Sequence, residues 1–331
     1  MKRRDLIAGV LAFGVLSNAR GQLRKKLPAM GLLSAWPPPS DEEFSKLQSL
    51  SHFRRLGWID GETFRIERGY AGHEGRLRKV ADALVAKGVD VIWALGPEAA
   101  LAAAASTKTI PIVFWGVGYP VEQGLVQSLA RPGGNVTGVT VFDGIGVYQK
   151  QLEILREFLP GIKRVAWLRT PSATRTVSGA DPGAHAPIVD AATAHDIRLQ
   201  QFDLHRDEDI PRALNEIAER RPDAIWVFGT MLTLRHRQRI LEFAEQQRMP
   251  GIYFDRSWVE AGGLVSYGAN GLSGIWRSAE YVDRILRGAK PAELPVELPR
   301  TYEIAVNLRT ASRLGLEIPQ SLLARADRVV E

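Results

Sequence analysis

Short apolar runs alternate with amphipathic stretches along most of this chain. PAMGLLSA (28–35) is the first apolar run, and PPPS follows it. Ser40, Asp41, Glu42 and Glu43 read as a capping box, in which the Ser40 hydroxyl and the Glu43 carboxylate each satisfy an exposed amide at a helix start. Phe44, Leu47, Leu50 and Phe53 then recur at helical spacing, and Gly57 stops the run. TFRIERGYA (63–71) reads as a strand. In the helix after it, Leu77, Val80, Ala81, Leu84 and Val85 share one face, and Gly88 ends it. VDVIWALG (89–96) and IPIVFWGV (110–117) are nearly continuous apolar strands with EAALAAAAS (98–106) between them.

The alternation resumes after residue 142. RVAWLR (164–169), LQQFDL (199–204), AIWVFG (224–229) and GIYF (251–254) read as strands, and 186–195, 207–220 and 233–248 as helices. Strands apolar on both faces and spaced by helices belong to parallel sheets covered on both sides. The predicted fold class is therefore α/β, with two doubly wound parallel-sheet lobes joined near 131–142. In such sheets ligands bind beyond the carboxyl ends of the strands. That places SAWPPPS (34–40), GPE (96–98), GVGYP (116–120), TPSATRT (170–176), GTMLT (229–233) and DRSW (255–258) on two rims facing a cleft, a common seat for small molecules.

Length agrees with two domains: the chain has 331 residues, 45% hydrophobic and 24% charged. It has no cysteine, which excludes disulfides, thiolate metal sites and a cysteine nucleophile. The net charge of +6 changes meaning once it is located. Lys2, Arg3, Arg4, Arg20, Arg24, Lys25 and Lys26 face only Asp5 in residues 1–27, so the tail carries all of it and the remainder sums to zero. A nucleic-acid binder keeps its basic patch on the folded domain, so nucleic acid is not the expected partner. The tail runs from a basic start through an apolar stretch, Leu6–Leu16, to small residues at Ser17 and Ala19. That is the order of a signal peptide cleaved near Ala19, with Arg3-Arg4 partly matching a twin-arginine signal. A periplasmic location follows as an expectation.

Catalytic signatures are missing. GVGYPV and GIGVYQ begin as glycine fingerprints but lack the third glycine, and no G-x-x-x-x-G-K-[ST] or G-x-S-x-G occurs. The six histidines show no metal-ligand spacing, so no metal and no cofactor is expected. Asp207-Glu208-Asp209 reads as a helix start, where acids suit the dipole. The reading is a binding protein with no catalytic step.

Read together, IPIVFWGVGYPVEQGLVQSLARPGGNVTGVT, EAGGLVSYGANGL and TYEIAVNLRTASRLGLEIPQSLLARADRVVE resemble the ABC-transporter substrate-binding proteins that include tryptophan-binding members. The likeness covers almost the whole chain. It implies the type I periplasmic binding-protein fold, with about three crossings between lobes. The resulting extents are 1–27 as leader and basic tail, 28–138 as the first lobe with about 268–290 returning to it, and 139–267 as the second lobe with about 291–331. RPGGNVTGV (131–139) would lead into the first crossing, GGLVSYG (262–268) would form the return, and Gly133, Gly134, Gly138 and Gly263 would serve the hinge.

The resemblance also implies a ligand set. Ser34 would offer a hydroxyl and an amide to an anionic group, aided by the amides of Gly96, Glu98, Gly118 and Tyr119. The family pattern has a hydroxyl residue where Gly96 stands, just before the proline, and an acid where Tyr119 stands. Losing that acid weakens the case for an ammonium there, while Tyr119, with Trp36 and Trp258, favours a planar or apolar ligand part. Trp93, Trp115, Trp167 and Trp226 fall inside strands and read as core. From the second lobe, Asp143, Thr170, Ser172, Thr230, Asp255 and Tyr267 fall on the rim, Asp143 and Asp255 being the carboxylates able to meet a cation. The expected partners are one small organic ligand, an amino acid or an aromatic or carboxylate-bearing metabolite, and an inner-membrane ABC permease, with the protein acting as a monomer. A periplasmic sensor module, and an enzyme on the same scaffold, are the rival readings. Neighbouring permease genes would separate the first from transport, and ligand turnover would reveal the second.

Overall fold

The computed structural model describes residues 27–141, 144–171, 176 and 186–331. The leader, Asp143 and Ser172 lie outside the described residues. The first sheet is built from β1 (Ala29–Ser34), β2 (Arg65–Tyr70), β3 (Val91–Leu95), β4 (Ile112–Val117) and β5 (Val136–Thr140). All run parallel in the order β2-β1-β3-β4-β5. Every residue of β1 is buried, as a central strand covered on both faces requires. Helices α1 (Asp41–Ser45), α2 (Gln48–Arg55), α3 (Leu77–Ala86) and α4 (Pro97–Ser106) connect the strands. The predicted capping box opens α1: Ser40 N donates to Glu43 Oε2 at 2.8 Å and Glu43 N to Ser40 Oγ at 3.2 Å.

The second lobe begins with α5 (Gly146–Phe158), followed by β6 (Arg164–Arg169), α6 (Ala186–Ala194), β7 (Arg198–Asp203), α7 (Asp209–Arg220) and β8 (Ala224–Val227). After them come α8 (Met231–Arg235), α9 (Arg237–Gln246), β9 (Gly251–Tyr253), α10 (Arg256–Glu260) and β10 (Val265–Ala269). The chain then leaves to form α11 (Gly271–Leu286). It returns as β11 (Tyr302–Asn307), α12 (Leu308–Leu314), α13 (Gln320–Leu323) and β12 (Arg328–Val330). The seven strands order as β12-β11-β10-β9-β8-β6-β7.

This sheet is not wholly parallel. β11 pairs antiparallel to β10, with Ala269 opposite Tyr302 and Val265 opposite Val306. Strands β6 to β10 run toward the hinge and the cleft, whereas β11 re-enters the lobe from the hinge and runs away from it, and β12 pairs parallel to β11.

Helix α11 belongs to the first lobe. Trp93 Nε1 donates to Ser278 Oγ at 2.9 Å, and Trp58 Nε1 to Asp283 Oδ1 at 2.7 Å. Ala279, Tyr281, Val282 and Ile285 bury against Met30, Leu32 and Trp93. The opposite face of the sheet is sealed by α3 and α4 through Leu77, Leu84, Ala100 and Ala103 packed on Leu33, Ile92 and Phe114. In the second lobe one core forms under α5 and α6 around Trp167 and Trp226, and another under α7, α9 and α10 around Trp258.

Each crossing falls a little later than the sequence boundaries suggest. β5 keeps the chain in the first sheet to Thr140 rather than 138, and β10 keeps it in the second to Ala269 rather than 267. The segment to Glu297 also stays with the first lobe: Glu297 N donates to Gly138 O at 3.0 Å, Thr140 N to Glu297 O at 2.9 Å, and Leu294 and Val296 are buried there. The third passage is therefore 298–301 rather than 291.

The predicted hinge glycines sort differently. Gly133 does hold a left-handed φ of +77°, but it lies at the start of β5, the end remote from the passage after Thr140. Gly134 has no positive φ, is exposed, and has open space where a side chain would go. Gly134→Val is thus expected to change stability by no more than about 0.5 kcal/mol; a melting temperature lowered by several degrees would contradict this placement. Gly263 precedes β10 at the end remote from the return passage, and a Cβ there would stand 2.7 Å from the Tyr253 ring, so close packing explains it. Gly138 sits within β5 where a Cβ would meet Phe114 O at 2.3 Å.

Candidate ligand cleft

The loops after β1, β3 and β4 meet those after β6, β8 and β9 across the two lobes. Three contacts stand out where the described rims meet. Trp36, 37% exposed, donates its indole N–H to Met231 Sδ at 3.0 Å. Met231 also fills the space over Gly96, where a Cβ would lie 3.1 Å from its Cγ. Gly96 holds φ +96°, which side-chain-bearing residues rarely adopt, so the close approach and the backbone both call for glycine. Arg235 is the third contact. Its Nη1 donates to Gly72 O at 2.8 Å and Ala35 O at 3.4 Å in the first lobe, while its Nη2 pairs with Asp207 at 2.9 Å in its own.

Among the described residues, two small cavities lie between the lobes. The inner one, about 40 Å³, is walled by Trp115, Val147, Tyr148, Phe228, Phe254 and Gly268. The outer one, about 20 Å³, touches His73, Glu98, Thr170, His205, Met231 and Arg235. Pockets that enclose small organic ligands run to about 300–1,000 Å³. Neither of the two is large enough to enclose such a ligand.

Aromatic rings dominate the inner end. Tyr148 stacks on Phe228 with centroids 5.5 Å apart, and Trp226 on Trp167 at 5.4 Å. Tyr119 crosses from the first lobe and packs against this cluster, its hydroxyl beside that of Tyr148. Burial pushes the Tyr119 hydroxyl up to about 12, the neighbouring Tyr148 hydroxyl opposing the shift, so it stays neutral at physiological pH.

The polar residues divide. Ser34 is buried at the end of β1, and its Oγ accepts the Trp36 amide at 3.2 Å. Thr170 and Thr230, both buried at strand ends of the second lobe, place their hydroxyls 3.0 Å apart, and Thr230 caps α8. Glu98 folds its carboxylate toward Gly96 on the outer cavity. Gly118 lies in the bend before Tyr119. Asp255 lines neither cavity: its Oδ1 caps α10 by accepting Ser257 N at 2.8 Å and Oγ at 2.6 Å. Its other oxygen faces Gly271 at the start of α11. Burial pushes the Asp255 carboxyl up, and the bonds from Ser257 oppose this.

Three aromatic expectations need correction. Trp258 is fully buried and stacks on Tyr253 at 5.0 Å, because its strand-end loop turns at once into α10 and points the ring into the core. Tyr267 stacks on Tyr302 at 5.6 Å beside the second-lobe core, and its carbonyl accepts from Gln151 Nε2 at 2.6 Å. Trp115, expected in the core, instead lines the inner cavity. Met231, Arg235, Tyr148 and Phe228 were missed. Their signal was faint: Met231 and Arg235 stand in or just past the GTMLT rim loop, and Phe228 closes the AIWVFG strand.

Among the described residues no cluster of His, Cys, Asp or Glu is placed to hold a metal ion, and no helix is long and apolar enough to cross a membrane.

Two α/β lobes, three passages between them and a cleft closed over facing strand ends define a bilobal binding protein of the type I periplasmic fold. The chain belongs to the ABC transporter substrate binding protein family, which it matches over residues 59–330. It is 24% identical over 325 residues to a tyrosine-binding protein of Clostridioides difficile strain R20291, spanning 94% of this chain and 91% of that one. A conserved domain protein of Vibrio cholerae O1 biovar El Tor superposes with a TM-score of 0.80 at 26% identity, covering 92% of this chain and all of its own. The ABC domain from Streptococcus pneumonia in complex with L-Trp gives 0.79 at 24% identity, over the same 92% and 100%.

Proposed function

We propose that this is an exported, monomeric solute-binding protein that captures one aromatic amino acid, or a close aromatic analogue, and delivers it to an ABC permease. The observation that carries this is the polarity of the cleft. Rings from Trp115, Tyr148, Phe228 and Phe254 wall its inner end, while Glu98, Thr170 and Arg235 stand at its outer end. A ligand with a ring at one end and charged groups at the other fits that order, ring toward the hinge. Export rests on the leader-like order of residues 1–19, and the tyrosine-binding relative and the L-Trp complex favour the ligand class.

Capture then follows from linkage. A ligand touching both rims stabilises the closed lobes in proportion to its preference for them. Calorimetry with L-tyrosine, L-tryptophan, L-phenylalanine and L-leucine tests the reading: one-to-one binding of an aromatic member, with leucine much weaker, is expected. Equal or tighter binding of leucine would overturn it. Tyr119→Phe removes the hydroxyl that faces Tyr148 across the lobes. It should weaken the preferred ligand about two- to tenfold, the worth of one neutral hydrogen bond.

A further inference from the structure

A cavity of about 180 Å³ opens on the second lobe at the starts of β9 and β10, the end of that sheet remote from the cleft. Helices α9 and α12 wall it on two sides, and the turn after α9 closes a third. We propose that this cavity is a second binding site, for a small monocarboxylate with a short apolar chain.

Its wall carries a donor that no other group meets. Tyr253 is 1% exposed, its ring stacked on Trp258 at 5.0 Å. The ring runs back along β9, so the hydroxyl comes to rest beside Gly251, where a Cβ would lie 2.5 Å from it. A Cβ at Gly263 would stand 2.7 Å from the same ring, so glycine on both sides leaves the tyrosine its path. The hydroxyl is not sealed in. What surface Tyr253 keeps faces this cavity, and among the described residues no hydrogen bond reaches its oxygen. Burial pushes the hydroxyl up with no bond opposing, so it stays protonated and able to donate. Phenylalanine would fill the same core space without an unmet polar group, which is costly to keep.

Charge selects the occupant. Glu245 pairs with Arg313, which leaves Arg248 as the exposed lining cation with no ion-pair partner among the described residues. A carboxylate answers both groups: it accepts from the Tyr253 hydroxyl, and its charge balances Arg248. An ammonium would face Arg248 with its one carboxylate, Glu245, already engaged. Leu241, Ala244, Met249 and Leu264, all buried, supply the apolar wall for a short chain. The volume falls below the roughly 300–1,000 Å³ of pockets for drug-sized ligands, so a ring-bearing amino acid is too large. Because the cavity lies at the far end of the lobe from the rims, its occupant does not compete with the cleft ligand.

Backbone amide signals of Gly251 and Gly262 report on this cavity, and those of Gly72 and Gly96 on the cleft rims. Titrating the full chain with sodium butyrate should shift the first pair saturably in the millimolar range and leave the second pair in place. Butyramide, which lacks the charge, and butylamine, which reverses it, should each bind more weakly. Arg248→Glu, an exposed change that folding tolerates, should weaken butyrate about tenfold or more, and Arg248→Lys by less. Tyr253→Phe should weaken it about tenfold while melting at or above the parent temperature, because no bond of the folded protein is lost. The proposal falls if Gly251 and Gly262 do not move, if butyramide or butylamine binds as tightly as butyrate, or if Arg248→Glu and Tyr253→Phe both titrate like the parent. Movement at Gly72 and Gly96 alone would put the acid in the cleft and overturn it as well. None of these outcomes depends on which molecule the cleft takes, so the two readings can fail separately.

Discussion

Replacing Arg235 by alanine is expected to weaken capture of the cleft ligand about ten- to 150-fold. Arg235 stands on the second lobe, 19% exposed, and its guanidinium donates to the carbonyls of Gly72 and Ala35 on the first. Hydrogen bonds to a charged group contribute about 1.5–3 kcal/mol, and these form only when the lobes are shut. Asp207 fixes the fork: its Oδ1 lies 2.9 Å from Arg235 Nη2 and 2.6 Å from His236 Nε2. Lysine keeps the charge but lacks the planar fork that serves three acceptors at once, so Arg235→Lys should fall between alanine and the parent. Calorimetry reads the affinity, and small-angle scattering the ligand-induced compaction, which should shrink in step. If Arg235→Ala binds and compacts as the parent does, the contact is a passive consequence of closure and does not favour it.

The lobes were legible in the sequence because a buried parallel strand leaves an unbroken apolar run, and VIWAL or AIWV has few other uses. The capping box at Ser40 was legible for a similar reason, since its two partners stand three residues apart. The direction of β11 was not. YEIAVN has the same pattern whether it runs with or against its neighbour, and the choice depends on where α11 leaves the chain. Glycine was the most ambiguous letter. RPGGN looks like a hinge and is the turn before β5, while Gly96, which admits Met231 from the other lobe, carried no mark beyond its rim position.

The site divides along the same line. Residues whose contacts stay within their own lobe, such as Ser34, Thr170 and Thr230, stand at the strand ends where the pattern put them. Residues that act across the cleft could not, because Trp36 meets Met231 over 195 positions of sequence and Arg235 meets Gly72 over 163. Asp255 shows the converse error: a loop carboxylate on the rim turned out to cap its own helix.

Gly268→Ala should produce the largest loss of stability among single-atom changes near the hinge. Gly268 is buried in β10, one residue before the strand ends and the chain passes back to the first lobe. A Cβ built there would lie 1.6 Å from the Phe254 carbonyl oxygen and 2.8 Å from its carbon. Backbone, not a movable side chain, occupies that space, so the strand end and the loop after β9 must separate. That loop carries the Phe254 ring of the inner cavity and the Asp255 cap of α10, and both would shift with it. Overpacking of this kind costs about 1–3 kcal/mol, corresponding to about 2–12 °C in the melting temperature of a lobe this size. The same displacement should weaken the aromatic ligand, whose ring would rest on Phe254. Gly134→Val is the matched control, adding more atoms where nothing stands within 4 Å. Thermal unfolding of the two variants beside the parent decides the matter. If Gly268→Ala melts with the parent and binds as tightly, Phe254 does not press on β10 as described, and the inner wall of the cleft must be drawn differently.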